Sequence, residues 1–188
     1  MIDTKDLLDE PVANGRGNWM QTYTGKVFYP VAPSVEDIDP VDIAHSLALQ
    51  CRYGGHVDRF YSVAEHCVLM SQAVSPENAL HALLHDATEA YVSDVPRPLK
   101  GHLPNYKDIE DTVWVEIASY FGVGLEIPTE VWEADNRILL TERAALLSQT
   151  KHKWFQDGKM EPLPVRIMGW SPMEAEMHYR FRLNELTR

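Results

Sequence analysis

Four residues of this chain, two histidines and two aspartates, have the types needed to hold one metal ion between them. They are His66, the adjacent pair His85-Asp86, and Asp135. Imidazole and carboxylate together suit a divalent transition ion (Mn, Co, Fe, Ni or Zn) better than the all-oxygen sites that Mg and Ca prefer. Four protein ligands leave two positions open on an octahedral ion, one for a water of lowered pKa and one for a phosphoryl oxygen. The pattern therefore favours hydrolysis of a phosphoester.

The helices that would position the two histidines can be predicted from the sequence. Ser75-Pro76 separates two stretches of helical apolar periodicity, 61–74 and 76–91, and is typical of a turn residue followed by a first helical position. His66 lies nine residues before Ser75 and His85 lies nine after Pro76. At ~1.5 Å of rise per residue, both stand about 14 Å from the turn. We predict that they lie level with each other across an antiparallel helix pair.

Asp135 belongs to a third predicted helix, 129–149, from which its carboxylate can reach the same ion. The other predicted elements are a hairpin over 20–31, a helix from Pro40 that ends near Gly54-Gly55, a loop over 92–105, helices over 106–121 and 172–186, and an irregular connection over 156–170. The fold class is all-α, a compact helical bundle with a short N-terminal β-hairpin. We expect one domain over 1–188, with a loose lead-in over 1–18, a core over about 18–150 and a C-terminal extension over 151–188.

Composition and charge exclude several classes of function. The chain has 188 residues, of which 45% are apolar and 24% charged, as in an ordinary globular domain. Its 17 basic residues face 28 acidic ones, and the net charge of −11 disfavours binding to a nucleic-acid polymer. No stretch approaches ~18 consecutive apolar residues and the start is acidic, so we expect no signal peptide, no membrane partner and a cytoplasmic location. Cys51 and Cys67 are expected to be reduced thiols buried in helices.

The order of the candidate ligands, His66, then His85-Asp86, then Asp135, resembles the signature of the HD-domain metal-dependent phosphohydrolases. The stretches that carry the resemblance are QCRYGGHVDRFYSVAEHC (50–67), LLHDATEAYVSDVPRPLK (83–100), YKDIED (106–111) and EADNRILLTE (133–142). They are similar to the small bacterial and phage branch that contains 5′-deoxynucleotidases and deoxynucleoside-triphosphate hydrolases. The resemblance covers about residues 18–150. The resemblance implies that the protein forms a homo-oligomer and that it is located in the cytoplasm of a bacterium or, as a phage protein, of the host cell.

Two acidic residues are candidates for catalysis. Glu89 follows His85 by four positions, so on one helix it would project from the same face and act as general acid or base, or orient the water. The alternative is a solvated glutamate on the helix surface. Asp94 lies just past that helix, at a position where members of the resembled family place Asp near the leaving-group oxygen or the sugar. The alternative interpretation is that Asp94 only forms a turn.

Candidate substrate contacts are basic and aromatic. Arg52-Tyr53 matches the family position where Arg meets phosphate and an aromatic ring lies against the sugar or base, although many members carry Trp where this chain has Tyr53. Arg97 and Lys100, in the loop after the HD helix, could meet phosphate oxygens. The alternative interpretation is that Arg97 and Lys100 belong to a solvated loop and contact no substrate. Arg59 and Lys107 are weaker candidates for the same patch.

The resemblance implies that the protein hydrolyses a deoxynucleoside 5′-monophosphate to nucleoside and phosphate, with one resident ion and at most a second that arrives with substrate. Release of triphosphate from a deoxynucleoside triphosphate stays open, as do hydrolysis of guanosine tetraphosphate and a non-catalytic module that binds a nucleotide or a partner. A metalloprotease is disfavoured. His81 and His85 have the zincin spacing, but that signature needs Glu where this chain has Ala82.

Overall fold

Helices supply almost all the regular structure of the computed structural model, which describes residues 15–188. The predicted lead-in, 1–18, lies outside this range except for its last four residues. The α-helices are α1 Pro40–Leu49, α2 Val63–Ala73, α3 Ala79–Leu84, α4 Glu89–Val92, α5 Arg97–Lys100, α6 Tyr106–Phe121, α7 Thr129–Leu146 and α8 Pro172–Leu186. Short 3₁₀ turns cover Val35–Asp37, Arg52–Gly55 and Pro76–Asn78. The all-α prediction is confirmed. No helix within the described range is both long and apolar enough to span a bilayer.

A small hairpin lies near the N-terminus, as predicted, but it is shorter than the sequence suggested. Strand β1 (Met20–Gln21) pairs antiparallel with β2 (Val27–Phe28). The turn between the strands is held to α1, because the amide and hydroxyl of Thr24 donate to the Asp42 carboxylate at 2.7 and 2.9 Å. The buried ring of Phe28 stacks on Tyr91 with centroids 3.9 Å apart. The hairpin therefore covers one side of the helical core.

Local capping explains where three of the helices begin. The Asp39 side chain accepts from the amide of Val41, with Pro40 at the first helical position of α1. Ser62 accepts from the amide of Glu65 at the start of α2. Ser171 and Glu174 form a reciprocal capping box at the start of α8. These helix starts are set by short-range hydrogen bonds and so are visible in the sequence.

The last helix belongs to the core. Apolar side chains of α1, α2, α3, α6 and α8 share one buried cluster. From α8 the ring of Tyr179 is fully buried, and its hydroxyl donates to the Leu83 carbonyl at 3.0 Å. A second cluster joins α2 and α7 to Leu163 and Ile167 of the irregular connection. Residues 172–186 are therefore packed into the helical core rather than extending from it.

The prediction of one continuous helix over 76–91 is wrong. The segment consists of a 3₁₀ turn, α3, a tight turn and α4. Within the tight turn the amides of Ala87 and Glu89 bond to carbonyls only three residues earlier, at 2.8 and 3.0 Å. In a continuing α-helix the Ala82 carbonyl would accept a hydrogen bond from the Asp86 amide. Here the Nδ1 atom of the His85 ring lies 2.8 Å from that carbonyl oxygen and competes for it.

The helix predicted from Pro40 to about Gly54 also ends early. Helix α1 stops at Leu49, Gln50 is extended, and Cys51 forms an isolated antiparallel bridge with Ser62. Tyr53 and Gly54 then adopt left-handed conformations, with φ of 58° and 59°. The expectation of a helical Cys51 is therefore wrong, while Cys67 is buried in α2 as predicted and both thiols are free.

Candidate metal centre

The structure brings the four predicted ligands together from two helices and a turn. His66 comes from the middle of α2, His85 and Asp86 follow α3, and Asp135 lies in α7. The Nε2 atoms of His66 and His85 are 3.2 Å apart. His66 Nε2 is also 3.6 Å from Asp86 Oδ2 and 3.6 Å from Asp135 Oδ1. The level placement of the two histidines across the turn at Ser75-Pro76 therefore occurs even though the second helix is interrupted.

Hydrogen bonds at the far side of each ring set the tautomers of the two histidines. His66 Nδ1 lies 2.6 Å from Glu142 Oε1, and His85 Nδ1 lies 2.8 Å from the Ala82 carbonyl oxygen. Both partners are acceptors, so each ring donates from Nδ1 and directs its Nε2 atom toward the other ring. The two Nε2 atoms lie 3.2 Å apart. Burial lowers the pKa of His85, but the charge of Asp86 outweighs it and holds that pKa well above the ordinary value in the metal-free protein, so a proton can occupy the place that an ion would take. Bonds of about 2.0–2.1 Å to one ion place neighbouring nitrogens about 3 Å apart, so these residues could hold a metal ion.

Cys67 lies within reach of the same place, in a group with His85 and Asp86. Its thiol is fully buried in α2. Burial raises the pKa of this thiol to about 11, although His85 opposes the shift. A protonated thiol is a poor metal ligand. The grouping around His66, His85 and Asp135 is therefore the better candidate.

Glu142 is the residue of the centre that sequence reasoning missed. Its carboxylate is fully buried and accepts hydrogen bonds from His66, from the Tyr61 hydroxyl at 2.9 Å and from the Tyr53 hydroxyl. Burial would raise the pKa of Glu142, but the charges of Arg52 and His66 outweigh it and hold that pKa at about 2. A signal was present: Glu142 follows Asp135 by seven positions, two helical turns along the same face of α7.

Arg52 and Tyr53, predicted to contact substrate, point into the protein. The Arg52 guanidinium is buried, with Nη1 3.3 Å from Asp86 Oδ2 and Nη2 3.4 Å from Glu142 Oε2. Burial and the charge of Glu142 raise the pKa of Tyr53, so its hydroxyl stays protonated and donates to Glu142. In this arrangement both side chains support the carboxylates of the centre.

Glu89 is buried beside the centre, although it does not lie one α-helical turn beyond His85. Burial raises its pKa well above the ordinary value, and the charges of Asp86 and Asp94 add to the shift. Its Oε1 is 3.8 Å from Lys100 Nζ. Within residues 15–188 the buried side-chain atoms without a hydrogen-bond partner are Glu89 Oε2 and Arg52 Nε. Such atoms are uncommon, and both occur at this site.

Asp94 adjoins Glu89 through the Gln50 side chain. Gln50 donates from Nε2 to the Glu89 carbonyl at 3.0 Å and accepts the Asp94 amide at Oε1, also at 3.0 Å. Burial raises the pKa of Asp94, with Arg52 opposing the shift. The loop that carries Asp94 is therefore tied to the end of α1 next to the candidate metal centre.

The basic residues predicted for an anion are each paired with a carboxylate. Arg97 Nη2 is 3.2 Å from Asp135 Oδ2, and its side chain is 66% exposed. Lys100 Nζ is 2.8 Å from Glu110 Oε1. Arg59 pairs with Asp58 and Lys107 with Asp111. The structure thus brings Arg97 to a candidate ligand and Lys100 to Glu89, whereas Arg59 and Lys107 are paired with neighbours along the chain.

Comparison with known proteins identifies relatives. No family model matches the chain. It is 46% identical over 174 residues to "Uncharacterized protein YfdR" of Escherichia coli (strain K12), an alignment that covers 90% of this chain and 96% of YfdR. The chain belongs to the YfdR family. It is also 31% identical over 126 residues to "Uncharacterized protein RCAP_rcc00048" of Rhodobacter capsulatus, covering 62% of this chain and 64% of that protein.

Replacing Glu89 of this YfdR-family protein with glutamine is expected to stabilise the metal-free form at pH 8 by about 0.5–2 kcal/mol. A carboxyl whose pKa is raised by folding costs stability as the pH rises above its unfolded value, and glutamine removes that cost. The gain in stability should vanish below pH 4.5, the ordinary pKa of a glutamate, because Glu89 is then protonated in the folded and the unfolded state. Urea unfolding with a chelator present measures the stability difference at pH 8 and below pH 4.5. The control is Glu126→Gln, at an exposed glutamate. A loss of stability at pH 8 would contradict this account.

Proposed function

We propose that this protein is an HD-domain metal-dependent phosphohydrolase that converts deoxynucleoside 5′-monophosphates to nucleoside and phosphate. The observation that carries the proposal is the pair of Nε2 atoms 3.2 Å apart, with the carboxylates of Asp86 and Asp135 beside them. Two imidazoles and two carboxylates favour one divalent transition ion among Mn, Co, Fe, Ni and Zn. The order of these residues along the chain and the resemblance described above support the assignment to HD phosphohydrolases.

An ion held here would activate a water as nucleophile and polarise a phosphoryl oxygen. The residues around it have separate tasks. Glu142 holds the His66 ring with its Nε2 toward the centre. Arg52 neutralises Asp86 and Glu142, which would otherwise repel each other and the substrate phosphate.

Glu89 is the candidate general acid. In the metal-free protein burial raises the pKa of its carboxyl group, and a proton held there could pass to the 5′ oxygen as the bond from phosphorus to that oxygen breaks. Asp94 lies on the adjoining loop and is the candidate partner of the leaving nucleoside, through the sugar or the same oxygen. Neither carboxyl is among the four proposed ligands, so neither would be committed to the ion.

The arrangement of basic residues favours a monophosphate over a triphosphate. A triphosphate would need several available cations, yet Arg52 is committed to Asp86 and Glu142, and Lys100 to Glu110. Arg97 differs, because its partner is Asp135, whose carboxylate the ion would share. The exposed Arg97 side chain could then turn to one phosphate group. One such arginine fits a short anion.

A product assay tests this proposal. The protein would be stripped with a chelator, reloaded separately with Mn, Co, Fe, Ni or Zn, and given deoxynucleoside mono- and triphosphates. We expect metal-dependent release of free phosphate and nucleoside from the monophosphates, and no triphosphate from the triphosphates. Ribonucleotides and the stripped protein serve as controls. Release of triphosphate would establish the triphosphohydrolase alternative instead. Nucleotide binding without hydrolysis under every metal would leave a non-catalytic binding module.

A further inference from the structure

Ser93, which joins helix α4 to Asp94, has a backbone conformation that serine rarely adopts. Its φ is 69° and its ψ is 153°. This combination is found almost only in glycine, and other residues keep it only where the surrounding structure holds them there. The Ser93 side chain does not hold it, because this side chain is exposed and makes no hydrogen bond to any residue within 15–188. The backbone on either side of Ser93 must therefore be fixed by other residues.

Two side chains fix the backbone around Ser93. The Ser93 carbonyl oxygen accepts a hydrogen bond from the Tyr106 hydroxyl at 2.9 Å. On the other side, the amide of Asp94 donates to Oε1 of Gln50 at 3.0 Å. The Nε2 atom of the same Gln50 side chain donates to the carbonyl of Glu89, also at 3.0 Å. Gln50 therefore bridges the two candidate catalytic residues, with Ser93 between them.

The chemistry and the placement of Gln50 suit this bridge. A side-chain amide carries both a donor and an acceptor, so it can bind a carbonyl and an N–H at once. The Gln50 backbone is fixed at the end of α1, since its N–H donates to the Ser46 carbonyl at 3.2 Å and its carbonyl accepts from the Val63 amide at 3.1 Å. Its Nε2 atom also donates to Ser46 Oγ at 3.2 Å. The bridge therefore starts from a rigid position between α1 and α2.

The carboxyl group of Asp94 depends on the backbone for its direction. Burial raises its pKa, the charge of Arg52 opposes the shift and the charge of Asp86 adds to it, so the carboxyl lies among the charges of the candidate metal centre. It makes no hydrogen bond to any of the residues that the structure describes. A rotation of Ser93 to an ordinary conformation would therefore carry the Asp94 carboxyl away from the centre.

We propose that Gln50 is a positioning residue, whose side-chain amide holds Ser93 in its strained conformation and so directs the Asp94 carboxyl toward the centre. The same amide fixes the backbone of Glu89. The consequence for catalysis rests on the proposed function, because the leaving nucleoside would then meet both carboxyl groups already in place. The conformational part concerns the folded chain alone and can be measured without substrate.

A double-mutant cycle on stability tests the conformational part. Ser93→Gly should lower the equilibrium constant for unfolding about fivefold or more, because glycine adopts this conformation without strain. In a Gln50→Met background the same change should bring no gain, because Ser93 is then free to relax. Urea unfolding of the metal-free protein measures both differences.

The control for this cycle is Ser93→Ala, which removes the hydroxyl, keeps the Cβ atom and should bring no gain in either background. If Gln50→Met does not fold, Gln50→Glu takes its place, because its carboxylate cannot donate to the Glu89 carbonyl. An equal gain from Ser93→Gly with and without the Gln50 amide overturns the proposal, since other contacts then hold Ser93.

Turnover of deoxynucleoside monophosphates by the metal-loaded protein tests the consequence for catalysis. Gln50→Met should keep its metal and lower kcat about 10–100-fold with little change in KM, because a small misplacement of a reacting group costs about that much. Adding Ser93→Gly should recover part of this loss, whereas adding Ser93→Ala should not. The control is Gln72→Met, at an exposed glutamine of α2, which should turn over as the wild type does.

The two experiments separate this inference from the proposed function. An unchanged kcat in Gln50→Met, beside an active wild type, overturns the positioning role. A wild type that hydrolyses no nucleotide refutes the proposed function instead, and the stability cycle still decides whether Gln50 holds Ser93.

Discussion

Replacing His85 and Asp86 together with alanine is expected to abolish stoichiometric metal binding and to lower turnover at least about a thousandfold. The double variant removes one imidazole and one carboxylate from the centre, leaving His66 and Asp135 as ligands. Two ligands hold a dication far more weakly than four. A bound ion contributes several kcal/mol to transition-state stabilisation, and about 4 kcal/mol corresponds to a thousandfold in rate.

Elemental analysis of the purified variant measures the metal, and the product assay measures turnover. The control is His81→Ala, which changes a half-buried histidine in α3 whose Nε2 contacts the Gly124 carbonyl at 3.0 Å. That variant should retain its metal and its activity. Circular dichroism verifies that the double variant is folded. Full metal content in the double variant, or unchanged turnover, would refute both the centre and the proposed function.

Glu142→Gln is expected to weaken metal binding by about 10–100-fold, because the carboxylate that orients the His66 ring and raises its basicity is lost. The same change leaves the buried Arg52 without one of its two carboxylates. Removing one partner of a buried ion pair costs about 3–5 kcal/mol of stability. Metal titration gives the first effect, and urea unfolding of the metal-free protein gives the second.

The stability effect of Glu142→Gln should depend on pH in a defined direction. Folding lowers the pKa of Glu142 from 4.5 to about 2, so the ionised carboxylate stabilises the folded state above pH 4.5, and this contribution is lost as the pH falls toward 2. The difference of about 2.5 in pKa corresponds to about 3 kcal/mol. Glu133→Gln, an exposed change on the same helix, should have little effect at any pH. Equal stability of wild type and Glu142→Gln at neutral pH would contradict the role given to this carboxylate.

Much of the fold could be predicted because its signals are local. The start of α1 at Asp39-Pro40 and the end of α6 at Gly122 depend on hydrogen bonds and backbone angles within one helical turn. The turn at Ser75-Pro76 also sets how far His66 and His85 stand from it. A tight turn replaced part of the second helix, yet both Nε2 atoms still meet, because the interruption begins only after Leu84.

Other features depend on residues that are distant along the chain. Arg52 was expected to face substrate, but it turns inward because Glu142, 90 positions away, supplies a buried carboxylate for it. The spacing from Asp135 put Glu142 on the same face of α7, but only the packing of α7 beside α2 showed that its carboxylate bonds to His66. The tight turn after α3 accompanies the contact between the His85 ring and the Ala82 carbonyl. Apolar periodicity does not predict such a contact between a side chain and the backbone.

The sequence alone determined where α1 and α8 begin, the all-α class and a set of side chains able to bind a metal ion, because capping, periodicity and donor chemistry are properties of residues and their near neighbours. Only the tertiary structure decided which carboxylate supports His66, where Arg52 points, and that the 172–186 helix packs inside the core. Those outcomes depend on packing between segments whose separation along the chain leaves their contacts undetermined until the core forms.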